Sequence, residues 1–556
     1  MTTTTTMAPM TPIAHDTNVR TVPELLRRQA RERPTRPAFL FGDRKLTYAA
    51  LDAAANRVAN ALIAEGGVPG ARVAVLAKDS DRSYEVLFGC IKAGAVALSI
   101  NWRLARPELA YIINDARAEV LFVGTDFVSE IEAIRAELPS VRRIVVIAAG
   151  HSSQADQADQ AGPPAPGARR DAPGSLDGWL AGHGDADPDV ASGPDDVVLQ
   201  LYTSGTTGRP KGAQLANYSF FDLMNGMARQ GDGWIGLGPR DVTILTLPAF
   251  HIGGVWWTIR CLAAGVTCIV IEGFVGWQVL ELIARHRVTK ICLVPAMIQV
   301  VLAEPSCRTT DVSSLTHIVY GGSPSAQGLL QHAMATFRCA LVQIYGMTET
   351  GNMAVCLRAE DHTLQGNPRM RAAGRALPGV QLKVIDAQGR VVPPRQIGEI
   401  CIHSPSRMIG YWNLEAATAE TLRDGWVHSG DAGFLDEDGY LYIQDRLKDM
   451  IIYAGENIYP AEIEHVLHEH PAVAEAAVIG VPDSRWGETV KAVVVLRPGA
   501  SATAAEFLEF TRGRIADFKA PKSVDFVAAL PRTPSGKVKK AELRATYWKG
   551  RERLVN

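Results

Sequence analysis

Between about residues 22 and 150 two hydrophobic periods alternate along the chain. TVPELLRRQARERP and YAALDAAANRVANALIAEGG return to apolar residues every three or four positions and read as amphipathic helices. RVAVLA, AVALSI, AEVLFVG and RRIVVIA are short, β-branched runs and read as buried strands. This alternation predicts an α/β domain with largely parallel sheets. The pattern stops at residues 150–173, which are poor in apolar residues and rich in Gln, Ala, Pro and Gly, and read as a surface insertion without fixed structure. It resumes at DDVVLQL and continues to about residue 400, where QIGEICIHS and YLYIQD suggest a β-rich region.

A second change comes near 445–460. The charged segment DRLKD leads into IIYAGENIYPAEIEHVLHEH, read as a strand, a turn and a helix opening at Pro460. AEAAVIGV and VKAVVVL read as strands and AEFLEFTRGRIADF as a helix, enough for a separate small α+β domain. Near its end, PRTPSGKVKKAEL is a loop stiffened by Pro531 and Pro534 that presents Lys537.

Composition narrows the class. A chain of 556 residues exceeds one compact core, so at least two domains are expected. Its 47% apolar and 21% charged residues are ordinary for a globular enzyme, and a net charge of −2 argues against electrostatic binding to nucleic acid or anionic membrane. The eight cysteines are scattered without a C-x-x-C pair, and read as buried thiols of a reducing cytosol. The polar N-terminus has no basic segment followed by an apolar run, so residues 1–20 read as a disordered tail, not a signal peptide. No apolar run approaches the roughly 18 residues of a membrane span. The C-terminal ERLVN carries no lipidation or peroxisomal signal, and a cytoplasmic location is expected.

The most informative stretch is YTSGTTGRPKG, residues 202–212. Its glycines, hydroxyls and single lysine suit a loop that wraps phosphate with backbone N–H groups, hydroxyls and an ammonium. It is not a Walker A loop. Counted from Gly205, the second glycine position falls on Pro210 and the Ser/Thr position on Gly212.

This stretch resembles the phosphate-loop signature of the adenylate-forming superfamily of acyl- and aryl-CoA synthetases, peptide-synthetase adenylation domains and luciferases. LPAFHIGG, YGGSPS, YGMTETG, GRALPG, WVHSGD, DRLKDMIIYAGENIYPAEIE and PRTPSGKVKK follow in the family's order, so the likeness spans about residues 22–548. The resemblance implies an α/β fold. A large N-terminal domain, 21–444, would hold layered α/β subdomains and a small β-barrel-like region, and a small mobile α+β C-terminal domain, 445–556, would follow. It also implies the reaction: a carboxylate attacks the α-phosphate of ATP to give an acyl-adenylate and pyrophosphate, and a thiol, normally that of coenzyme A, displaces AMP. ATP, Mg²⁺ and coenzyme A are the expected cofactors. The expected partners are small molecules only, and a homodimer is among the states left open.

Residue roles carry over from the matched motifs. Thr203, Ser204, Gly205, Thr206, Thr207, Gly208 and Lys211 would hold the β- and γ-phosphates, and Glu349 would be the Mg²⁺ ligand. Thr348 would bond the α-phosphate or the reacting carboxylate, and Tyr345 would face adenine with Gly322 and Ser323 on the other side. Asp431 would accept from the ribose hydroxyls, with Arg446 in support and Ser429 standing where the family usually has Thr. Lys537 would bridge the substrate carboxylate and α-phosphate in the first half-reaction. Lys448 matches the hinge about which the small domain turns before the thiol step, after which Ala454, Gly455 and Glu456 would line the pantetheine tunnel. Ala454 departs from the glycine often found there. Lys519 and Lys522 are candidates for coenzyme A phosphates or for plain surface lysines.

By the same analogy HIGGVWW, YGGS and QIYGMTETGNMAVC line the acyl pocket, with His251 gating the carboxylate end. These segments contain no Lys or Arg, which disfavours a dicarboxylate. Val255, Trp256, Met347 and Met353 offer an apolar wall suited to a medium or long fatty acid or an aryl acid, although Trp256 and Trp257 fit core packing equally. Three alternatives stay open at this point: an enzyme that loads a carrier protein instead of coenzyme A, a luciferase-like oxygenase, and an inactive nucleotide-binding homologue.

Overall fold

The computed structural model describes residues 18–549 apart from 67–68, 149–173, 204–208, 323–324, 326, 387, 447–450, 455, 459, 532–537 and 539; the side chains of 444–446, 457, 461, 465 and 541 are also outside it. The expected insertion, the hinge at Lys448, the tip lysine Lys537 and most of the phosphate loop therefore lie outside the described residues.

The first expected helix is Val22–Glu32, capped by the Thr21 side chain, and the second is Tyr48–Ala64, capped by Thr47. The expected strands are Arg72–Leu76, Val96–Ser99, Val120–Gly124 and Arg143–Ile147. With Val197–Thr203 they form the parallel centre of an eight-stranded sheet, buried on both faces by helices, which is why they read as continuous apolar runs. Lys211–Ala216 and Gly410–Tyr411 add antiparallel strands at one edge.

Two further sheets complete the layered core. Pro37–Phe41, Arg44–Thr47, Val242–Leu245 and Thr267–Val270 form one. Lys290–Leu293, His317–Gly321 and Ala340–Tyr345 run parallel in the other, extended by antiparallel Val355–Leu357 and Arg375–Ala376. The β-rich region after residue 380 is an antiparallel sheet built on Gln381–Ile385, Gly398–His403, Trp426–Leu435 and Leu441–Arg446.

The small C-terminal domain has its own sheet and its own core, in which Ile451, Ile463, Val478 and Phe507 are fully buried. Its helix Pro460–His468 matches the expected one. The helix expected over AEFLEFTRGRIADF is shorter and spans Ala504–Thr511. The chain leaves the helix at Arg512, which is extended, Gly513 then takes a left-handed φ of +73°, and the Ala516 amide donates to Glu108 of the large domain at 2.9 Å. All eight cysteines are free; seven are buried and Cys339 is half-buried. Among the described residues no helix is long and apolar enough to cross a membrane.

Asp79 anchors the segment that precedes His251. It follows Arg72–Leu76 and lies just before the helix Asp81–Lys92, buried, where it accepts from the Ala249 amide at 3.1 Å and from the Tyr84 hydroxyl at 3.1 Å. Burial pushes its carboxyl up to about 6, against the opposing pull of these two donors, His251 and Arg103. A folded-state value above the unfolded one stabilises only while the group is protonated. That contribution is complete below the usual carboxylate range and is lost as pH rises through about 6. Asp79→Asn is therefore expected to gain on the wild type as pH rises from 4 to 8, by on the order of 2–3 kcal/mol at the upper end. Melting temperatures of both proteins across that range check it; a constant difference would refute the ionisation of Asp79 as the cause.

Candidate active site

Three strands deliver their carboxyl ends to one place, where open parallel sheets generally bind ligands. Val197–Thr203 ends at the phosphate loop, His317–Gly321 ends before Gly322, and Ala340–Tyr345 ends in the turn that holds Glu349. The register pairs Gly321 with Ile344, which sets Gly322 beside Tyr345.

The turn after Tyr345 is tight. A Cβ on Gly346 would lie 1.7 Å from the Asn352 carbonyl oxygen, and one on Gly351, at φ +74°, would lie 2.1 Å from that of Ser406. Only glycine fits at either place. Within the turn the Thr350 hydroxyl accepts from the Met347 amide at 2.9 Å and donates to the Met347 carbonyl at 3.0 Å. This fold buries Glu349 to 5% exposure, with its carboxylate accepting from the Tyr411 hydroxyl at 2.7 Å and reached by the Thr203 hydroxyl at 3.5 Å. Lys211 pairs with Thr203 across the antiparallel strands, and its ammonium sits 5.1 Å from the centre of the Tyr411 ring. Thr203, Lys211, Glu349 and Tyr411 thus form one cluster. Tyr411 was not singled out from the sequence; the run Gly410-Tyr411-Trp412 carries no chemistry of its own until the edge strand brings it to Glu349.

A buried carboxylate oxygen flanked by hydroxyls suits Mg²⁺, a hard cation that commonly takes one or two carboxylates alongside phosphate oxygens. Among the described residues the one close group of three metal-binding side chains, Glu399, Cys401 and His428, lies elsewhere, on neighbouring strands of the antiparallel sheet.

Asp431 is 4% exposed and accepts from the Tyr345 hydroxyl at 2.7 Å, which ties the antiparallel sheet to the parallel one. The Ser429 hydroxyl donates to the Ile400 carbonyl at 2.6 Å and accepts from the Asp431 amide at 3.0 Å. The hydroxyl that survives the Thr-to-Ser difference is thus spent on bracing the backbone that carries Asp431. Arg446 stands opposite Asp431 in the strand register; its side chain, with Ser204, Gly205, Thr206, Thr207, Gly208, Ser323, Lys448, Gly455 and Lys537, lies outside the described residues.

The small domain reaches this site through a hairpin, Ile451–Tyr453 and Glu456–Ile458. Glu456 bonds Arg103 at 2.6 Å and the His251 Nε2 at 3.1 Å. Burial alone would push the Glu456 carboxyl up, but the charges of His251, Arg103 and Lys519 prevail and hold it below the usual range. His251 itself keeps 44% of its side chain exposed, and its ring lies tilted against that of Phe250, with centres 4.6 Å apart. Ala454 takes φ +51° and donates its amide to the Trp486 carbonyl at 3.1 Å, so the glycine often found there answers to a left-handed backbone.

One open alternative is decided and one expectation needs revision. Trp256 and Trp257 are 2% and 1% exposed, and the Trp257 indole donates to the Thr243 hydroxyl at 3.1 Å, so both are core. Lys519 is 5% exposed and paired with Glu108 and Glu462, each at 2.8 Å, so it is neither a surface lysine nor open to a phosphate. Lys522 is exposed and donates to the Asp517 carbonyl at 2.7 Å.

Comparison with known proteins fits this geometry. Residues 26–412 match the family described as AMP-binding enzyme, and residues 462–537 match its C-terminal domain. The chain is 44% identical over 545 residues to the fatty acid–[acyl-carrier-protein] ligase ScoC of Streptomyces coeruleorubidus, covering 98% of this chain and 99% of that one. It is 38% identical to a feruloyl-CoA synthase of an Amycolatopsis species, covering 94% and 98%. Among solved structures, a double mutant of o-succinylbenzoate CoA synthetase from Bacillus subtilis with a bound product analogue aligns with a TM-score of 0.79 at 30% identity, over 94% of this chain and 98% of that one. The chain therefore belongs to the AMP-binding enzymes, the adenylate-forming superfamily, as an AMP-forming acid–thiol ligase.

Proposed function

We propose that this enzyme activates a hydrophobic monocarboxylic acid, a medium or long fatty acid or an aryl acid, as its acyl-adenylate. It then passes the acyl group to the thiol of coenzyme A in the cytoplasm. The observation that carries this reading is the convergence of Thr203, Lys211, Glu349 and Tyr411 with the Tyr345–Asp431 pair at adjoining strand ends.

In the first half-reaction Thr203, Lys211 and the 204–208 loop hold the β- and γ-phosphates, and Thr348 bonds the α-phosphate or the incoming carboxylate. Tyr345, Gly322 and Ser323 flank adenine; Asp431 and Arg446 hold ribose. Glu349 holds magnesium, which when bound offsets the repulsion between a carboxylate and a polyphosphate. Tyr411 keeps the Glu349 carboxylate aimed. Lys537, on the small domain 445–556, bridges the two reacting anions. The domain then turns about Lys448, and the segment Ala454–Glu456 comes to the site beside His251 to line the path of the thiol. The Glu456–Arg103–His251 contact supports taking the present arrangement as the one for the thiol step.

A second reading, transfer to the phosphopantetheine of a carrier protein, has two observations in its favour. The ScoC relative bears that activity in its name, and Lys519 is occupied by carboxylates, which removes one candidate contact for coenzyme A phosphates.

The first test offers ATP, magnesium and a panel of fatty and aryl acids, and follows labelled pyrophosphate into ATP. Acid-dependent exchange is expected, and its absence with every acid would end the proposal. Acyl-CoA formed on adding coenzyme A supports the first reading. Exchange with thioester only on a carrier protein supports the second. Lys537→Ala is expected to slow adenylate formation by roughly 10²–10³-fold while pre-made acyl-adenylate still becomes thioester. Lys448→Pro is expected to do the reverse, because a fixed φ stiffens the hinge. Equal loss in both half-reactions would remove these assignments. Tyr411→Phe takes one donor from Glu349 and is expected to slow adenylate formation about tenfold and to raise the magnesium needed for half-maximal rate. An unchanged magnesium dependence would separate Tyr411 from the metal.

A further inference from the structure

We propose that Glu108, on the helix Arg106–Asp115 of the large domain, is a positioning residue that latches the small domain in the arrangement that brings Glu456 to His251. This rests on the two-half-reaction reading above.

Three buried ionisable side chains meet where the domains touch. One Glu108 oxygen accepts from the Lys519 ammonium at 2.8 Å. The other accepts from the Ala516 amide at 2.9 Å and from the Ala105 amide, at the start of its own helix, at 2.8 Å. Lys519 also donates to Glu462 at 2.8 Å, while the second Glu462 oxygen is buried without a partner. Burial alone would lower the Lys519 ammonium, yet the two carboxylates hold it above its usual range. Burial, reinforced by Glu108, pushes the Glu462 carboxyl up, with Lys519 opposing.

The division of these groups between the domains gives Glu108 its selectivity. Lys519, Glu462 and Ala516 all belong to the small domain and move together, so the Lys519–Glu462 pair survives any rotation. The bonds from Glu108 to Lys519 and Ala516 exist only while the domains are docked this way. Of the three bonds, only the one from Ala105 lies within the large domain. An interaction made in one state and lost in the other shifts the balance between them by its whole value.

One Glu108 oxygen accepts from an ammonium and the other from two amides, so these three bonds all come from donors. A glutamine of the same shape must turn its NH₂ toward one set of them, whichever way the amide is flipped.

Glu108→Gln is the test, with the acid selected by the pyrophosphate-exchange panel. Pyrophosphate exchange is expected to stay within about twofold of wild type, since the latch is absent from that arrangement. Thioester formation from the pre-made acyl-adenylate and coenzyme A is expected to fall about tenfold or more. Hydrogen–deuterium exchange of the free variant is expected to quicken across 451–458, with the rest of the small domain as protected as in wild type. Equal loss in both half-reactions, an unchanged thiol step, or unchanged exchange at 451–458 would each overturn the latch. Glu108→Asp keeps the charge near the helix start but is too short to reach Lys519, and stands in should the glutamine variant not fold. Should the wild type itself exchange no pyrophosphate with any acid, the proposed function falls, and the hydrogen-exchange comparison alone then decides the latch.

Discussion

A carboxylate carried by one domain and held by an arginine and a histidine of the other makes a single site out of two bodies. Glu456 sits on a short hairpin of the small domain, and its charge is met by Arg103 and His251 of the large one. Left alone in that buried position it would cost several kcal/mol, so the hairpin can rest there only when those partners are in place. The contact is directional as well as electrostatic, and it brings the backbone around Ala454 to the edge of the site.

The large domain contributes a rigid cradle. Its functional groups sit at the carboxyl ends of parallel strands and in turns that glycine makes possible. The Glu349 turn folds so closely on Asn352 and Ser406 that Gly346 and Gly351 have no substitutes. Rigidity of this kind places Glu349, Thr203 and Lys211 before any ligand arrives, which suits a reaction whose main obstacle is repulsion between anions. Asp431 is held just as firmly, through Tyr345 on one side and the Ser429 hydroxyl on the other.

The interface between the domains works by the opposite principle. Glu108, Lys519 and Glu462 are ionisable and buried, and such groups add little net stability compared with apolar packing. Their merit lies in being separable. Each also keeps a partner on its own side, Glu108 in the Ala105 amide of its own helix and Lys519 in Glu462. A hydrophobic seal of equal area would hold the domains together more firmly and give no such choice of states.

The order of helices and strands, the two-domain division and the family were legible from the sequence, because they depend on local period and on motifs whose residues are neighbours in the chain. Pro460 opening a helix and the glycines of YGMTETG act over a few residues, so a linear reading can find them. Tertiary structure alone decided the rest. Tyr411 meets Glu349 across 62 residues of chain, Glu108 meets Lys519 across 411, and Asp79 meets Ala249 across 170. Trp256 and Trp257 proved to be core, and the helix after Ala504 stopped seven residues short of its apparent end at Phe518. In each case the partner is fixed by packing between elements, and periodicity within one element carries no record of which other element it will face.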